Sequence, residues 1–164
     1  MKLHQLEHIV RAAAAITNEN PILVLGSQSI LARFPNPPDP LGLSMEADVC
    51  PFNAPEKVDE ISGAIGEITL FQSTHGYYAH GLPPEACPLS DGWKERLVVH
   101  QSENMPGCTA LCLHPDDLAC SKLAAGRDED ALCGLCGQSD RVRGTELSAK
   151  VRRRKGRTRR TERG

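Results

Sequence analysis

Aromatic residues are scarce in this sequence of 164 residues, which contains three Phe, two Tyr and one Trp. A hydrophobic core must therefore rest on Leu, Ile, Val and Ala, and the chain is long enough to bury one. Long apolar runs are absent as well, because no stretch approaches the roughly 20 residues that a transmembrane helix needs. The sequence thus predicts a single domain without a membrane partner.

The N-terminal stretch does not have the pattern of a secretory signal, because Glu7 and Arg11 interrupt its apolar residues. The apolar positions instead recur at helical spacing, which predicts a helix over residues 2–17. The chain has seven cysteines, an odd number, so a disulfide framework is not expected. Together these features favour a cytoplasmic protein.

Charge is divided unevenly along the chain. Residues 1–149 carry 10 Lys and Arg against 20 Asp and Glu, whereas residues 150–164 carry 9 against 1. From about residue 136 onwards the sequence loses almost all apolar residues and all periodicity, which predicts a disordered basic tail over residues 136–164. Three interpretations stay open: a nucleic-acid-binding arm, a solvated end without a role, and a terminus altered by a frameshift.

Residues 1–135 predict an α+β domain, a small mixed sheet flanked by helices. Strand patterns occur in "ILVLG", "EADVCPF", "THGYYAHGL" and "ERLVVHQ", and a short helical stretch occurs in "SQSILARF". The segment "HPDDLACSKLAAG" predicts a late helix with Leu118, Leu123 and Ala124 facing inward. In "APEKVDEISGAIGEI" the glycines argue against a helix, although Val58 and Ile61 have helical spacing.

Two features of the segment from Pro21 to Cys50 suggest chemistry. The first strand ends in Gly26 and Ser27, where backbone N–H groups and a hydroxyl can meet a phosphate at the start of a helix. Glu46 and Asp48 stand one residue apart on the next strand, so both carboxylates point to the same face. Such carboxylates repel each other unless a cation such as Mg²⁺ lies between them. A phosphate cradle beside a metal platform serves phosphoryl or nucleotidyl transfer.

These residues lead to a resemblance. The segments "VLGSQSILAR" and "SMEADV" resemble the signature of the polymerase-beta-type nucleotidyltransferase superfamily, and are most similar to small bacterial proteins related to AbiEii-type toxins. The segments "GEITLFQSTHGYYAHG" and "LHPDDLACSKLAAGRDED" are similar to two further regions of that group. The resemblance covers roughly residues 20–132, and it implies a nucleotidyltransferase-like fold and Mg²⁺-dependent transfer of a nucleotide from a nucleoside triphosphate.

The resemblance implies that Gly26 and Ser27 bind the nucleotide phosphates, and that Glu46 and Asp48 are catalytic residues that bind Mg²⁺. The acceptor stays open among RNA, a protein hydroxyl and a small molecule. A toxin–antitoxin-type relationship would imply an antitoxin-like partner protein.

The late helix extends this implied site. By the same resemblance, Lys122 is catalytic and meets the triphosphate as a point charge, while Arg127 and Asp130 contact phosphate or orient Lys122. The alternative interpretation of this helix is an exposed face of ion pairs between residues three and four apart.

The third carboxylate that active members of the superfamily usually carry is missing from the expected strand. His80 stands where an acid is expected, and Glu67 and Glu95 are candidate substitutes. A catalytically inactive nucleotide-binding domain is therefore the alternative function. His75, which with His80 flanks the Gly-Tyr-Tyr segment, is a second candidate to line a cleft, and Trp93 is expected to anchor a core or turn.

The cysteines suggest a different class of protein. Cys108 and Cys112 form one close pair and Cys133 and Cys136 a second, with His114 between the pairs; Cys120 also lies there. Paired pairs at such spacing are typical of structural zinc sites. Combined with the basic tail, they would indicate a zinc-stabilised nucleic-acid-binding protein.

Overall fold

The structure, a computed structural model, describes residues 1–37 and 44–125. The predicted domain boundary at residue 135, the basic tail and the residues Arg127, Asp130, Cys133 and Cys136 lie outside these residues. The strands and α-helices of the described part are α1 Leu3–Thr17, β1 Ile22–Val24, β2 Glu46–Pro51, α2 Val58–Ile65, α3 Leu70–His75, β3 Tyr78–Gly81, β4 Val98–His100, β5 Ala110–Cys112 and α4 Pro115–Ala125. Among the described residues, no helix combines the length and apolarity needed to cross a membrane.

The strands form one mixed five-stranded sheet in the order β3-β2-β1-β5-β4. β1 pairs antiparallel with β2 and parallel with β5, β2 pairs parallel with β3, and β4 pairs antiparallel with β5. The mixed α+β architecture expected from the sequence is confirmed. The apolar strand β1 lies at the centre of the sheet. It is therefore covered on both faces, and its three residues are fully shielded from solvent.

One face of the sheet packs against α1 and α2. The helix α1 buries Leu6, Ile9 and Val10, which contact Val24 and Val49 within one hydrophobic cluster. These three residues recur at helical spacing on one side of α1, which confirms the predicted amphipathic helix. The opposite face carries a second cluster of buried residues, and the half-buried residues around it include Trp93, which confirms its expected role as an anchor.

Two buried carboxylates tie elements together. The Oε1 atom of Glu7, in α1, lies 3.0 Å from the Nε2 atom of His100, at the end of β4. Arg96 donates from Nε to Oδ2 of Asp117 at 2.8 Å and from Nη2 to Oδ1 at 2.6 Å, and the Ser90 hydroxyl also donates to Asp117. Asp117 lies in the first turn of α4, so its bidentate pair with Arg96 fixes the helix against the segment that precedes β4.

Two expectations about helices are wrong. Residues Val58–Ile65 do form α2, with Gly63 in its interior, because burying Val58, Ile61 and Ile65 outweighs the roughly 1 kcal/mol that a helical glycine costs. In α4, Leu118 is buried as expected, but Leu123 is 39% exposed and Ala124 is also exposed. The helix therefore buries its first turn, against Ile30 and Leu113, and its later residues point to solvent.

Candidate metal and phosphate site

The acid pair lies on one face of β2, as its spacing predicts. Ala47 and Val49 point into the core, and Glu46 and Asp48 point to the other face of the sheet. Their side chains are 39% and 24% exposed, respectively. The pleat of the strand therefore presents two partly buried carboxylates side by side.

His80 completes the cluster from the neighbouring strand. β2 and β3 run parallel in a register that pairs Asp48 with His80. The imidazole Nδ1 of His80 lies 3.2 Å from Oδ1 of Asp48 and 3.4 Å from Oε1 of Glu46. One donor atom from each of the three side chains lies within 4.8 Å of the others. His80 thus stands at the position where the sequence suggested a missing acid, in contact with both carboxylates.

Gly26 is held against Asp48. The backbone N–H of Leu25 donates to the Asp48 carbonyl at 3.0 Å, which brings the end of β1 beside β2. A Cβ atom on Gly26 would lie only 1.9 Å from Oδ2 of Asp48. Gly26 has a φ of −80°, which any residue adopts, so the glycine is required here for space alone. Gly26 of the Gly-Ser turn therefore lies directly against one carboxylate of the acid pair, Asp48, and the neighbouring positions expected from the sequence are observed.

Ser27 begins the short helix that follows. This helix spans Ser27–Ala32, and it is a 3₁₀ helix whose N-cap residue is Gly26. The sequence predicts Ser27 at the start of a helix, and Ser27 is the first helical residue. The six-residue length means that only a weak helix dipole can act on an anion at this turn.

Tyr78 was not singled out from the sequence, yet it positions the first acid. Its hydroxyl donates to Oε2 of Glu46 at 2.9 Å. This hydrogen bond, reinforced by burial, raises the pKa of Tyr78 to about 12, so the phenol keeps its proton. Local sequence gave no signal for this contact, because Tyr78 lies opposite Glu46 only through the parallel pairing of β2 with β3.

Burial is the main reason that the pKa of Asp48 is raised, and the neighbouring negative charge of Glu46 adds to it. His80 acts in the opposite direction through its hydrogen bond and charge. The two carboxylates therefore carry an unfavourable charge density that His80 offsets in part. A bound cation would remove the remaining repulsion.

An open cleft of about 330 Å³ adjoins the cluster, between the end of α2 and the edge strand β3. Its lining residues are Glu46, Ser62, Gly66, Glu67, Tyr78, Ala79 and His80. Of the two candidate substitutes for the third acid, Glu67 lies in this cleft. Glu95 belongs to the separate 3₁₀ helix Trp93–Arg96, where its carboxylate borders Gly92.

The late helix is joined to the Gly-Ser segment by packing. Leu118 of α4 and Ile30 of the 3₁₀ helix share one hydrophobic cluster. Lys122 lies one turn further along α4 and is half-buried. α4 thus packs against the 3₁₀ helix that begins at Ser27, while the proposed partners Arg127 and Asp130 lie beyond the described residues.

Only part of the predicted zinc arrangement lies within the described residues. Cys112 is fully buried in the apolar core, and burial raises the pKa of its thiol to about 12. Within residues 1–37 and 44–125, the one group of three or more potential ligands that converges is Glu46, Asp48 and His80. His75 packs against the rings of His8 and Phe71 rather than lining the cleft.

The three converging side chains offer two carboxylate oxygens and one imidazole nitrogen, a donor set that fits a divalent cation. The cleft beside them is open to solvent, so a ligand of that cation can approach from outside. Comparisons of this chain with protein-family models, with curated proteins and with solved structures find no match.

Proposed function

We propose that this protein is a divalent-metal-dependent nucleotidyltransferase of the polymerase-beta type. The observation that carries the proposal is the contact between Gly26 and Asp48, which joins the Gly-Ser turn to the acid pair. A phosphate held at the turn would then lie next to a cation held by Glu46 and Asp48. The resemblance of residues 20–132 to that superfamily supports the same assignment.

In this reaction a hydroxyl oxygen of the acceptor forms a bond to the α-phosphorus of a nucleoside triphosphate. The bond from that phosphorus to the oxygen bridging the α- and β-phosphates breaks, pyrophosphate leaves, and the hydroxyl proton passes to solvent. A bound Mg²⁺ or similar ion would neutralise phosphate charge. Glu46 and Asp48 would hold that ion, and Tyr78 fixes the orientation of Glu46 through its 2.9 Å hydrogen bond.

The remaining residues contact the triphosphate. Gly26 would offer its backbone and Ser27 its hydroxyl to the phosphates, and Lys122 would meet the charge of the leaving pyrophosphate. Arg127 and Asp130 would contact phosphate or orient Lys122. The open cleft of about 330 Å³, which is lined in part by Glu46 and His80, would admit part of a ligand of the bound ion. The acceptor is RNA, a protein hydroxyl or a small molecule, and an antitoxin-like partner protein and a cytoplasmic location belong to the same proposal.

Titration calorimetry with each of the four ribonucleoside triphosphates, with and without a divalent cation, tests this function. Wild type should bind at least one triphosphate only when the cation is present, and Asp48→Asn should abolish that binding. Asp59→Asn is the matched control, because Asp59 is an exposed acid in the first turn of α2. Binding that is indifferent to the cation and to Asp48→Asn would refute the proposal.

A non-catalytic nucleotide-binding domain is the second candidate, and His80 favours it because an imidazole replaces the third carboxylate of active relatives. The two candidates differ in turnover. Incubation with a triphosphate labelled at the α-phosphate should label an acceptor in a total RNA or protein preparation and release pyrophosphate if the protein is an enzyme. Cation-dependent binding without pyrophosphate release or acceptor labelling would establish the non-catalytic function.

A further inference from the structure

The nitrogen donor of His80 distinguishes this cluster from a set of carboxylates. We propose that Glu46, Asp48 and His80 together bind a divalent transition-metal ion, of the Mn²⁺ or Zn²⁺ type, in preference to Mg²⁺, and that His80 sets this preference. The inference rests on the metal site of the proposed function, but it concerns the identity of the ion and the role of a residue that no other argument assigns.

The spacing of the donor atoms supports direct ligation by His80. Two ligands that each lie about 2.0–2.1 Å from one ion, at angles between the octahedral 90° and the tetrahedral value of about 109°, are roughly 2.8–3.4 Å apart. The His80 Nδ1 lies 3.2 Å from the Asp48 oxygen and 3.4 Å from the Glu46 oxygen. Both distances from His80 therefore match ligation of one ion, and one donor atom from each of the three side chains lies within 4.8 Å of the others.

The chemistry of the donors sets the preference. Mg²⁺ favours oxygen ligands and retains its waters, whereas imidazole suits Zn²⁺ and other transition metals. A site built from two carboxylates and one imidazole therefore gains affinity for a transition metal from the third ligand. It gains little for Mg²⁺, since that ion binds nitrogen poorly.

The competing explanation is that His80 serves only as a positively charged partner of the acids. The His80 side chain is 50% exposed, and ion pairs at such exposure contribute about 0–1 kcal/mol. A pair this weak offsets the repulsion of the two carboxylates only in part. A divalent ion bound by all three side chains would neutralise both acids at once.

Calorimetric titration of the chelator-treated full chain with Mg²⁺, Mn²⁺ and Zn²⁺ alone tests the proposal. The variants are His80→Gln, which offers a neutral oxygen, and His80→Asp, which offers a charged one; His4→Gln, on the exposed side of α1, is the control. Because the three ions carry the same charge, the ratio of their dissociation constants removes the general electrostatic effect of each substitution.

Wild type and His4→Gln should bind Zn²⁺ and Mn²⁺ at least about 10-fold more tightly than Mg²⁺, and both His80 variants should reduce that ratio by about 10-fold or more. Tighter binding of Mg²⁺ by wild type, an unchanged ratio in both variants, or no binding of any ion would overturn the inference. Thermal unfolding of each variant without metal verifies that it is folded. In the NMR spectrum of wild type, loss of the His80 ring resonances on addition of Mn²⁺ gives an independent readout.

The outcomes separate this inference from the proposed function. The expected ion ratios without triphosphate binding would leave the metal site established and refute the nucleotide function. Cation-dependent triphosphate binding, together with a ratio of ion affinities that does not change in the His80 variants, would support the nucleotide function and refute the inference about the ion.

Discussion

Gly26→Ala is the sharpest perturbation of the site, because the distance that it violates is known. The added Cβ would lie 1.9 Å from Oδ2 of Asp48, and real Cβ contacts are essentially never shorter than 3.0 Å, so the carboxylate must move by at least 1.1 Å. The backbone itself accepts alanine, since φ is −80°. Asp48 is thereby pushed away from its position 3.2 Å from the His80 nitrogen.

Two consequences differ in size. Overpacking of this kind costs about 1–3 kcal/mol of stability, which leaves a folded protein. Loss of a residue that supports a metal ligand typically costs about 10–100-fold in metal affinity. Gly26→Ala displaces the ligand Asp48 itself, so we expect this variant to bind Mn²⁺ at least about 10-fold more weakly than wild type. The measurements are titration calorimetry for the affinity and urea unfolding for the stability.

Gly63→Ala is the matched control. Gly63 lies inside α2, and a Cβ added there would meet nothing within 4 Å. This substitution should stabilise the protein by about 0.5–1 kcal/mol, the usual gain from a helical Gly→Ala change, and leave the Mn²⁺ affinity unchanged. Wild-type Mn²⁺ affinity in Gly26→Ala would refute the geometric argument, as would an equal loss in Gly63→Ala.

Two further predictions concern stability and reactivity. Burial acts to raise the pKa of Asp117, but the hydrogen bonds from Arg96 and Ser90 outweigh it and lower the pKa below its ordinary value of 3.8. The stability that ionised Asp117 contributes is therefore present above about pH 4 and is lost as the pH falls through its lower pKa in the folded state. Asp117→Asn should lower the free energy of unfolding by about 1–3 kcal/mol at pH 7. It should also flatten the acid limb, the fall in the free energy of urea unfolding at low pH. Burial raises the pKa of the Cys112 thiol to about 12. Burial is also the main reason that the pKa of the Cys50 thiol is raised to about 11, and the nearby Glu85, Glu56 and Cys87 add to it. Mass spectrometry should therefore detect iodoacetamide labelling of Cys50 and Cys112 only after the protein is unfolded.

Each of these has an internal comparison. Asp116→Asn alters an exposed acid in the same turn of α4, and it should leave the acid limb as steep as in wild type. An equally steep limb in Asp117→Asn would contradict the role assigned to that residue. Cys108 is half-buried and should react before Cys112, so equal native labelling of the two would show that the core is open.

Periodicity was sufficient to predict the elements whose apolar residues follow one clear pattern. α1 has a full apolar stripe, and β1 is a short buried run that ends at Val24, two residues before Gly26. α2 was misjudged because Gly63 was weighed by its intrinsic propensity, whereas burial of Val58 and Ile61 decides the outcome. Local sequence gives no measure of how much surface a neighbouring element will cover.

Other elements had no usable local signal. α3 is six residues long, and Leu70 at its start is 82% exposed; the helix depends on the Thr69 side chain as N-cap and on Gly76 at its C-cap. β5 is three residues long, and it becomes a strand through its parallel pairing with β1. Such short elements are defined by tertiary contacts more than by propensity.

For the site, the spacing of Glu46 and Asp48 correctly predicted a shared face. The contact between Gly26 and Asp48 was expected in outline, but its closeness depends on how tightly β1 and β2 approach. The place of His80 and the hydrogen bond of Tyr78 depend on the pairing of β2 with β3, two strands separated by more than 25 residues of chain. No pattern in a single sequence specifies that alignment.

The pairing of β2 with β3 also has a consequence for misfolding. Ala47 pairs with Ala79 on the core side, and Asp48 pairs with His80 on the cleft side. A shift of β3 by one residue would exchange these faces, placing an imidazole in the core and a methyl group in the cleft. A slipped molecule would keep the same helix and strand content and would be nearly invisible to circular dichroism. If the ion is held as proposed, the stoichiometry of a cation titration would therefore count the fraction of molecules whose edge strand is correctly aligned.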